Sequence, residues 1–262
     1  MISVIIPTYR PKDYLWECLD SLAVQTLPLN DFEVIIVLNG CREPYFSEIR
    51  KYMDKHADMN IRLIQTDKGG VSDARNTGID NADGQYVAFI DDDDKVSPTY
   101  LQEMYEKADE DTVVVSNTYN YLEENPSDLI HVRCTELHKQ LSHRGRTSLI
   151  DSRRFFFTAW MKLIPRKIIG ERRFKSSLAI GEDCVFMFLI SDRIRHVGFT
   201  SENAVYFRCL RSDSALHTHN RKGNVLKNDI RLIMEYTRIY ISGIRRYSLH
   251  FYLTRIRGCI HI

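Results

Sequence analysis

Five short apolar runs, spaced along the first 116 residues, are the feature that most constrains the fold of this chain. Each run is apolar nearly throughout, which is the pattern of strands that are covered on both faces in a parallel sheet. Between them, Leu15, Leu19 and Leu22 recur at helical spacing, and 74–82 is a second helix candidate. We therefore predict an α/β fold that begins as a βαβ series, with strands at 2–6, 33–38, 61–65, 86–90 and 112–116.

Beyond residue 118 this alternation stops. The stretch 119–146 is polar, carries His and Arg residues and lacks clear periodicity, so we predict a long loop or an inserted subdomain there. Farther on come an aromatic segment, an acidic turn, and a helix-like run through Phe186 and Ile190. With 262 residues, of which 44% are hydrophobic, the chain can bury one substantial core. We divide it into 1–118, 119–220 and a helical C-terminal tail, 221–262.

Composition argues against several classes of protein. The formal net charge is +1 at pH 7, which does not favour nucleic acid as a partner. The six cysteines form no CxxC pair and lack the spacing of a structural zinc site, so we predict reduced thiols in a cytoplasmic protein. Met1 leads directly into an apolar run without the basic region of a signal peptide, and no apolar stretch approaches the roughly 20 residues that span a bilayer.

Four consecutive carboxylates, at 91–94, follow the apolar run at 86–90 without a break. In open α/β sheets ligands bind at the carboxyl ends of the strands, and clustered carboxylate oxygens suit Mg²⁺ or Mn²⁺ better than soft metals. The pattern therefore predicts a divalent cation that bridges to a diphosphate. An acidic turn that caps a helix starting near Ser97 is an equally consistent alternative.

Other phosphate and metal motifs do not fit. An EF-hand loop needs an acid or Asn at its fifth position and Gly at its sixth, where this chain has Lys95 and Val96. The sequence also contains no GxxxxGK[ST] loop, no GxGxxG and no HExxH. NTPase, dinucleotide-binding and zinc-protease functions are therefore disfavoured.

Four motifs in one order carry a resemblance to a known family. They are SVIIPTY at 3–9, CLDSL at 18–22 with QT at 25–26, ARNTGI at 74–79 and FIDDDD at 89–94. In order and spacing they resemble glycosyltransferase family 2, and Glu182-Asp183 followed by Phe186 is similar to its downstream acidic motif. The resemblance implies a GT-A fold, a nucleotide diphosphate sugar donor, a metal-binding DxD motif and inversion at the anomeric carbon. It makes 1–118 the nucleotide-sugar half and 119–220 the acceptor side.

The resemblance places the donor base at the ends of the first strands. Pro7, Thr8 and Tyr9 end strand one, where the Tyr9 ring could stack on the base; a tyrosine packed under a loop is the alternative. At Asn39 the family commonly has an Asp-Asp-Gly sequence whose acid contacts uracil, and this amide could still pair with a pyrimidine. An Asn-Gly turn made only for its geometry fits the sequence at least as well. The expected donor is a UDP-sugar.

Gly70 and Arg75 are placed near the nucleotide by the same resemblance. The guanidinium could bind phosphate or order Asp91 and its neighbours, and we favour the ordering role. An exposed surface arginine is the alternative.

The family's DxD motif corresponds to Asp91, Asp92 and Asp93. Asp93 is the expected direct ligand of Mn²⁺ or Mg²⁺, with Asp91 in the same metal site, and Asp91 or Asp92 would face the ribose or a metal-bound water. The cation would stabilise charge that develops on the departing nucleoside diphosphate. Asp94 lies outside the triplet, and its loss should cost far less than that of Asp93.

Inverting transfer needs a base that takes the proton of the acceptor hydroxyl, and Asp183, with Glu182 beside it, is the candidate. Both residues open a helical pattern, so simple capping of that helix is the alternative. Trp160 and Lys162 resemble an acceptor platform of the family, although a buried Trp is the more common arrangement.

The segment 206–219 resembles a mobile arginine- and serine-containing loop of the family, and the resemblance implies closure over the diphosphate, with Arg211 as the candidate residue. His219 could add a metal ligand; a solvated histidine is the alternative. The tail, 221–262, carries nine Lys or Arg residues against two acids and is interleaved with apolar residues. It could lie on an anionic membrane or pack on the catalytic domain.

These expectations converge on an inverting glycosyltransferase of surface polysaccharide synthesis. It would move a sugar to a hydroxyl of a glycan or lipid-linked glycan, in the cytoplasm or at the inner face of the membrane. Two alternatives stay open at this point: a metal-dependent nucleotidyltransferase, and a non-catalytic module that binds a nucleotide-sugar or a partner. The nucleotidyltransferase would need a glycine-rich phosphate loop near the N-terminus, where Pro7-Thr8-Tyr9-Arg10 offers no glycine.

Overall fold

The computed structural model describes residues 1–211 and 222–260. Its strands are β1 (Ile2–Thr8), β2 (Phe32–Asn39), β3 (Ile61–Thr66), β4 (Tyr86–Phe89), β5 (Lys95–Val96), β6 (Thr112–Val115), β7 (Asn117–Leu122), β8 (Asn125–Ile130), β9 (Lys162–Pro165), β10 (His196–Phe199) and β11 (Val205–Leu210). Its helices are α1 (Tyr14–Ala23), α2 (Tyr45–Lys55), α3 (Val71–Asp80), α4 (Tyr100–Glu106), α5 (Arg133–Ser142), α6 (Arg166–Ile169), α7 (Glu182–Leu189), α8 (Lys222–Ser242) and α9 (Leu249–Ile260).

The larger sheet has seven strands in the order β10-β6-β9-β4-β1-β2-β3. Its neighbours pair in parallel, except that β9 runs antiparallel to both β4 and β6. All five runs that the sequence predicted as strands lie in this sheet. The prediction of a mixed, mainly parallel sheet flanked by helices is confirmed.

The centre of the sheet is covered on both faces, as the apolar runs predicted. Every residue of β1 and β2 is buried, whereas the edge strand β3 is half-buried. Helix α3 lies directly against β1, because Gly78 has no side chain and its Cα faces the Ile5 side chain with no room for a Cβ. This close approach brings the residues of α3 down to the level of the strand ends.

The smaller sheet has the order β5-β11-β7-β8, and part of it comes from the stretch that the sequence left without periodicity. Of the two alternatives predicted for 119–146, the structure favours inserted secondary structure over a long loop, since this stretch contains most of β7, all of β8 and the helix α5. Strand β8 is exposed along its whole length and pairs with β7 alone. Alternation of polar and apolar residues arises when one face of a strand is buried. Because β8 has no buried face, its sequence shows no strand pattern.

The C-terminal helices form an antiparallel hairpin that packs on α7. The rings of Tyr240 and Tyr252 stack with centroids 4.5 Å apart and join α8 to α9. Phe188 of α7 contacts the rings of Tyr236 and Phe251 from the two helices. The sequence left two alternatives for the tail, contact with a membrane or packing on the catalytic domain. Packing on the domain describes one face of the tail. Within the described ranges, no helix is both long enough and apolar enough to cross a membrane.

Candidate active site

The acidic segment 91–94 leaves the sheet at the carboxyl end of β4, beside the end of β1. Its carboxylates point to different partners. The Thr8 hydroxyl donates a hydrogen bond to Asp92, whereas Asp91 and Asp93 each meet a guanidinium at 2.8 Å, from Arg75 and Arg211 respectively. The segment therefore lies at the ligand-binding edge that the sequence predicted.

Asp94 has a different environment from the three aspartates before it. It is buried, accepts a hydrogen bond of 2.6 Å from the Tyr206 hydroxyl, and accepts a second of 2.8 Å from the backbone N–H of Cys209. The Tyr206 oxygen in turn accepts a hydrogen bond from the backbone N–H of Asp91. Asp94 thus anchors the acidic segment to β11 and does not face a ligand.

Burial and mutual repulsion raise the proton affinity of this segment. Burial raises the pKa of Asp92 to about 7, with further raising by the charges of Asp93 and Asp91. Burial and the charge of Asp91 also raise the pKa of Asp93, against the opposing effect of Arg211. A site in which like charges are crowded together gains stability when a cation binds.

The oxygen donors fit a hard divalent cation. Asp93 and Asp91 are the residues that would hold Mn²⁺ or Mg²⁺, and such ions bind through one or two carboxylates plus the phosphates of a substrate. Within the described part of the chain, no three His, Cys, Asp or Glu side chains are grouped so that they could hold a metal. The remaining ligands would therefore have to come from the diphosphate and from water.

Arg75 is the centre of the site. It extends from α3, is buried, and its guanidinium contacts Asp91, Glu182 at 3.2 Å, and Asp183. The structure thus places Arg75 between the acidic segment and the acids of α7, and not at the surface. The single guanidinium of Arg75 therefore holds carboxylates that are more than 90 residues apart in sequence.

Asp183 and Glu182 are the first two residues with which α7 opens, after Gly181 in a left-handed conformation (φ 82°). The second oxygen of Asp183 accepts a hydrogen bond of 3.0 Å from the backbone N–H of Ala159. Burial raises the pKa of Asp183, while Arg75 lowers it, and burial with the charge of Asp183 raises the pKa of Glu182 to about 7. A carboxylate with a raised pKa is a stronger base, which suits the role predicted for Asp183.

Tyr9 directly follows β1, at the edge of the sheet where the acidic segment lies. Its ring is 52% exposed, and the Arg10 guanidinium lies 5.3 Å from the ring centroid. Gly40 (φ 98°) packs on the ring so closely that a Cβ there would lie 2.8 Å from it. Pro7 is buried within β1, and the Thr8 hydroxyl is held by Asp92, so neither side chain is free to meet a ligand.

Asn39 does not have the environment of a base-reading residue, and the prediction that it contacts the base directly is wrong for this structure. It is buried, its amide N–H donates to the Thr8 carbonyl at 2.8 Å, and its amide oxygen accepts from the Gly70 N–H at 2.9 Å. Both ends of the amide are therefore engaged. Asn39 ties the end of β1 to the start of α3, and Gly70 contributes its N–H to this bridge and not to a free phosphate site.

Trp160 is half-buried and stacks on Tyr206 with ring centroids 4.9 Å apart. The predicted acceptor contact of Lys162 is wrong, because its side chain is completely buried. Its ammonium donates to the Trp160 carbonyl at 3.0 Å and to the Thr158 hydroxyl, and burial lowers its pKa to about 7. Lys162 supports the segment that carries Trp160.

The segment that resembled a mobile loop starts as a strand. Residues 205–210 form β11, so Tyr206 is a buried support of the acidic segment. Sequence reasoning missed this role, although the consecutive β-branched and aromatic residues Val205, Tyr206 and Phe207 were a weak strand signal. Arg211 follows the strand and lies 4.5 Å from the Tyr14 ring centroid as well as on Asp93. His219 lies outside the described residues.

Fold and site together define a transferase domain of the GT-A class, with an acidic segment at the carboxyl edge of the sheet and a second pair of acids opposite it. Sequence comparison then gives the family. The model of glycosyl transferase family 2 matches residues 3–173, and the chain belongs to that family, as the four motifs predicted.

Individual relatives are more distant. The chain is 29% identical over 219 residues to the uncharacterized glycosyltransferase EpsJ of Bacillus subtilis, which covers 79% of this chain and 61% of EpsJ. The chain thus spans about three fifths of that relative's length.

Among solved structures, the likeness is one of fold. TarS 1–349 from Staphylococcus aureus, in complex with UDP-GlcNAc, gives a TM-score of 0.69 at 18% identity and covers 99% of this chain and 80% of that chain. The mannosyltransferase PcManGT from Pyrobaculum calidifontis, in complex with GDP-Man and Mn²⁺, gives 0.67 at 17% identity, over 99% of this chain and 68% of that chain.

Proposed function

We propose that this chain transfers a sugar, with inversion, from a UDP-sugar to a hydroxyl of a glycan or lipid-linked glycan in the synthesis of a surface polysaccharide. The observation that carries the proposal is the buried guanidinium of Arg75, which contacts Asp91 on one side and Asp183 on the other. This contact on both sides supports a donor site and a base that one guanidinium holds at a fixed separation. Family membership supports the reaction class.

In the proposed reaction, Asp183 takes the proton of the acceptor hydroxyl while the hydroxyl oxygen bonds to the anomeric carbon. The bond between that carbon and the diphosphate oxygen breaks, and the electron pair leaves with the nucleoside diphosphate. A divalent cation bound at Asp93 and Asp91 would stabilise the negative charge of that leaving group. Arg75 keeps Asp183 oriented and ionised, and the Ala159 N–H holds the other carboxylate oxygen.

The proposed donor chemistry rests on Tyr9 and on the fold neighbours. The exposed Tyr9 ring offers an aromatic surface for a base, which binds by stacking without a strong sequence preference. UDP-GlcNAc and GDP-Man are bound by two chains of the same fold. We propose UDP and transfer of a hexose or N-acetylhexosamine. Because Asn39 is engaged internally with Thr8 and Gly70, we assign no base selection to its side chain.

A thermal-shift panel tests the donor. UDP, GDP, CDP and TDP are each added with and without Mn²⁺, since a ligand that binds the folded state raises the melting temperature by mass action. We expect the largest shift from UDP with Mn²⁺, and removal of the metal with EDTA should abolish most of it. Equal, metal-independent shifts from all four nucleotides would contradict the proposal.

Asp183→Asn tests the base. The variant should keep UDP-dependent stabilisation but lose about 10²- to 10⁴-fold in transfer rate, because the amide cannot accept the hydroxyl proton. Asp128→Asn, on the exposed strand β8, makes the same chemical change away from the site and should leave the rate unchanged. Transfer at the wild-type rate by Asp183→Asn would refute the assignment, and ligand binding without any turnover by the wild type would favour a non-catalytic module.

We further propose that the enzyme works in the cytoplasm at the inner face of the membrane, where a lipid-linked acceptor would lie. The support for this location comes from the tail, whose basic and apolar residues suit an anionic lipid surface.

A further inference from the structure

The outer face of the α8–α9 hairpin is unusually apolar for a protein surface. Eight of the fifteen exposed large apolar side chains in the described structure lie between residues 222 and 260, in about a sixth of the chain. Each of them is at least half exposed. They are Leu226, Ile230, Met234, Ile241, Ile244, Leu249, Leu253 and Ile260. Singly exposed apolar residues are normal, but a cluster of this kind marks a contact surface.

On α8 the exposed residues form a stripe along the helix. At 3.6 residues per turn, positions 226, 230, 234 and 241 fall within a sector of about 80°. The buried residues Leu232, Tyr236 and Ile239 occupy the opposite side and pack on the domain. The helix therefore has two apolar faces, of which only one is explained by packing.

The stripe on α9 lies beside the stripe on α8. Leu249, Leu253 and Ile260 share one side of α9, whereas Phe251 and Cys259 are buried. The contact of Tyr240 with Tyr252 lies, on each helix, between the buried side and the exposed stripe. Both stripes consequently point outward together and form one surface, which we call the hairpin face.

Basic residues border the hairpin face. Lys227, Arg231 and Arg238 follow the α8 stripe on its outer side, within a sector of about 40°, and all three are exposed. Arg257 has the equivalent position on α9. The two acids of α8 lie elsewhere: Glu235 is paired with Lys175 of the domain, and Asp229 is half-buried.

We propose that the hairpin face docks on the surface of an anionic phospholipid bilayer. The apolar stripe would enter the boundary between headgroups and acyl chains, and the basic border would contact lipid phosphates, as in amphipathic helices that lie in the membrane plane. Charge complementarity selects this occupant over a second copy. A two-fold dimer through the same face would bring the basic borders of both copies close together, and like charges repel.

Docking would place the chemistry close to the lipid. Leu232 of α8 lies directly against Gly181, the residue before Glu182 and Asp183. Packed helices have axes about 10 Å apart, so only the thickness of the hairpin separates the candidate base from the bilayer. This consequence rests on the proposed function, whereas the docking itself does not.

Vesicle sedimentation tests the apolar stripe. The full chain is mixed with phosphatidylcholine vesicles that contain or lack 30 mol% phosphatidylglycerol, without donor or metal, so that binding is independent of transfer. The stripe variant is Ile230→Asn/Met234→Asn/Ile241→Asn. Its control is Leu122→Asn/Leu129→Asn/Ile130→Asn, which makes the same kind of change at exposed apolar residues of β7 and β8. We expect the stripe variant to bind at least tenfold more weakly and the control to bind like the wild type.

The basic border has a matched test. Lys227→Gln/Arg231→Gln/Arg238→Gln should lose about fivefold in binding per charge, and 0.5 M salt should remove most of this difference. Arg50→Gln/Lys51→Gln/Lys55→Gln changes the net charge equally on α2 and should have little effect. Melting temperatures check that all four variants are folded. We expect them to be folded because all twelve substituted positions are exposed.

Three results would overturn the proposal: no binding to anionic vesicles by the wild type, equal binding by the stripe variant and its control, or equal binding to both lipid compositions. A fourth contradicting result could come from analytical ultracentrifugation, which measures the oligomeric state. A dimer that the stripe variant abolishes, without any preference for anionic vesicles, would assign the hairpin face to a second copy. A chain that transfers sugar in solution but does not bind vesicles would leave the proposed transfer reaction intact, and would reject the docking together with the proposed membrane location.

Discussion

Two arginines neutralise the acidic segment, and they differ in how they do so. Arg75 is buried and touches acids on both sides of the site, whereas Arg211 is partly exposed and forms an ion pair with Asp93. The sequence singled out both residues through the family resemblance, but not the pairing. Which guanidinium reaches which carboxylate depends on contacts between segments that lie far apart in sequence, and single-sequence patterns do not contain that information.

Arg75→Met should shift the pH dependence of transfer. Arg75 lowers the pKa of Asp183 against the raising effect of burial, so its removal raises that pKa further. Because the base must be ionised, the acidic limb of kcat/KM should move to higher pH, and the loss of rate should be larger at pH 6 than at pH 8. Arg75→Lys, which keeps a charge, should shift less. An unchanged profile would show that Arg75 does not act through the base.

Arg211→Gln should raise the affinity for Mn²⁺ in the absence of nucleotide by about three- to tenfold, because the cation no longer competes with a guanidinium at Asp93. Arg208→Gln removes the same charge from β11 without breaking that ion pair, and is the matched control. Isothermal titration calorimetry measures both. Equal gains in the two variants would mean that general charge, and not the direct contact, controls metal affinity.

At the scale of elements, sequence patterns revealed what was buried and missed what was exposed. The central strands were recognisable as apolar runs in the sequence, because both of their faces are covered. Strand β11 was read as part of a mobile loop, because its role depends on pairing with β5 and β7 and on the bond from Tyr206 to Asp94. Elements that are defined by partners distant in sequence leave weak local signals.

Substitution of Asp94 should lower stability, whereas substitution of Asp93 should abolish metal binding. Asp94→Ala leaves the Tyr206 hydroxyl and the Cys209 N–H without their acceptor, and should lower the free energy of unfolding by about 2 kcal/mol or more. Asp93→Ala should change stability little and abolish Mn²⁺ binding. Urea unfolding and calorimetry on the metal-free proteins measure the two effects. Equal destabilisation by both substitutions would contradict the anchoring role of Asp94.

At the scale of the molecule, the tail was predicted as helical, basic and amphipathic, and it is a hairpin with one face on the core. The sequence left a membrane and the protein core as alternative partners of the apolar face of the tail. Hydrophobic periodicity shows that a helix has an apolar face but not what covers it. The structure shows that the helices supply enough apolar residues for both. The site was likewise predicted as a set of motifs, whereas the engagement of Asn39 and the burial of Lys162 became visible only once neighbours were in place.

A chain that ends at residue 221 should not fold stably. Phe188 is completely buried, and its ring contacts include Tyr236, Tyr247 and Phe251 of the tail. Burial of such side chains contributes about 1.5–3 kcal/mol each, which for several residues exceeds the usual margin of stability. Soluble yield and the melting temperature measure the effect. The stripe variant serves as control, because it alters only the outer face and should melt like the wild type.

The absence of a side chain at Gly78 has a consequence at a distance. Arg75 lies three residues earlier, on the same side of α3, so the depth at which the helix rests on Ile5 determines how far the guanidinium extends toward the two groups of acids. A single methyl group at position 78 would lift the helix and withdraw the guanidinium from both groups of acids together. The reach of Arg75 is thus set by how closely a glycine lets one helix approach a strand.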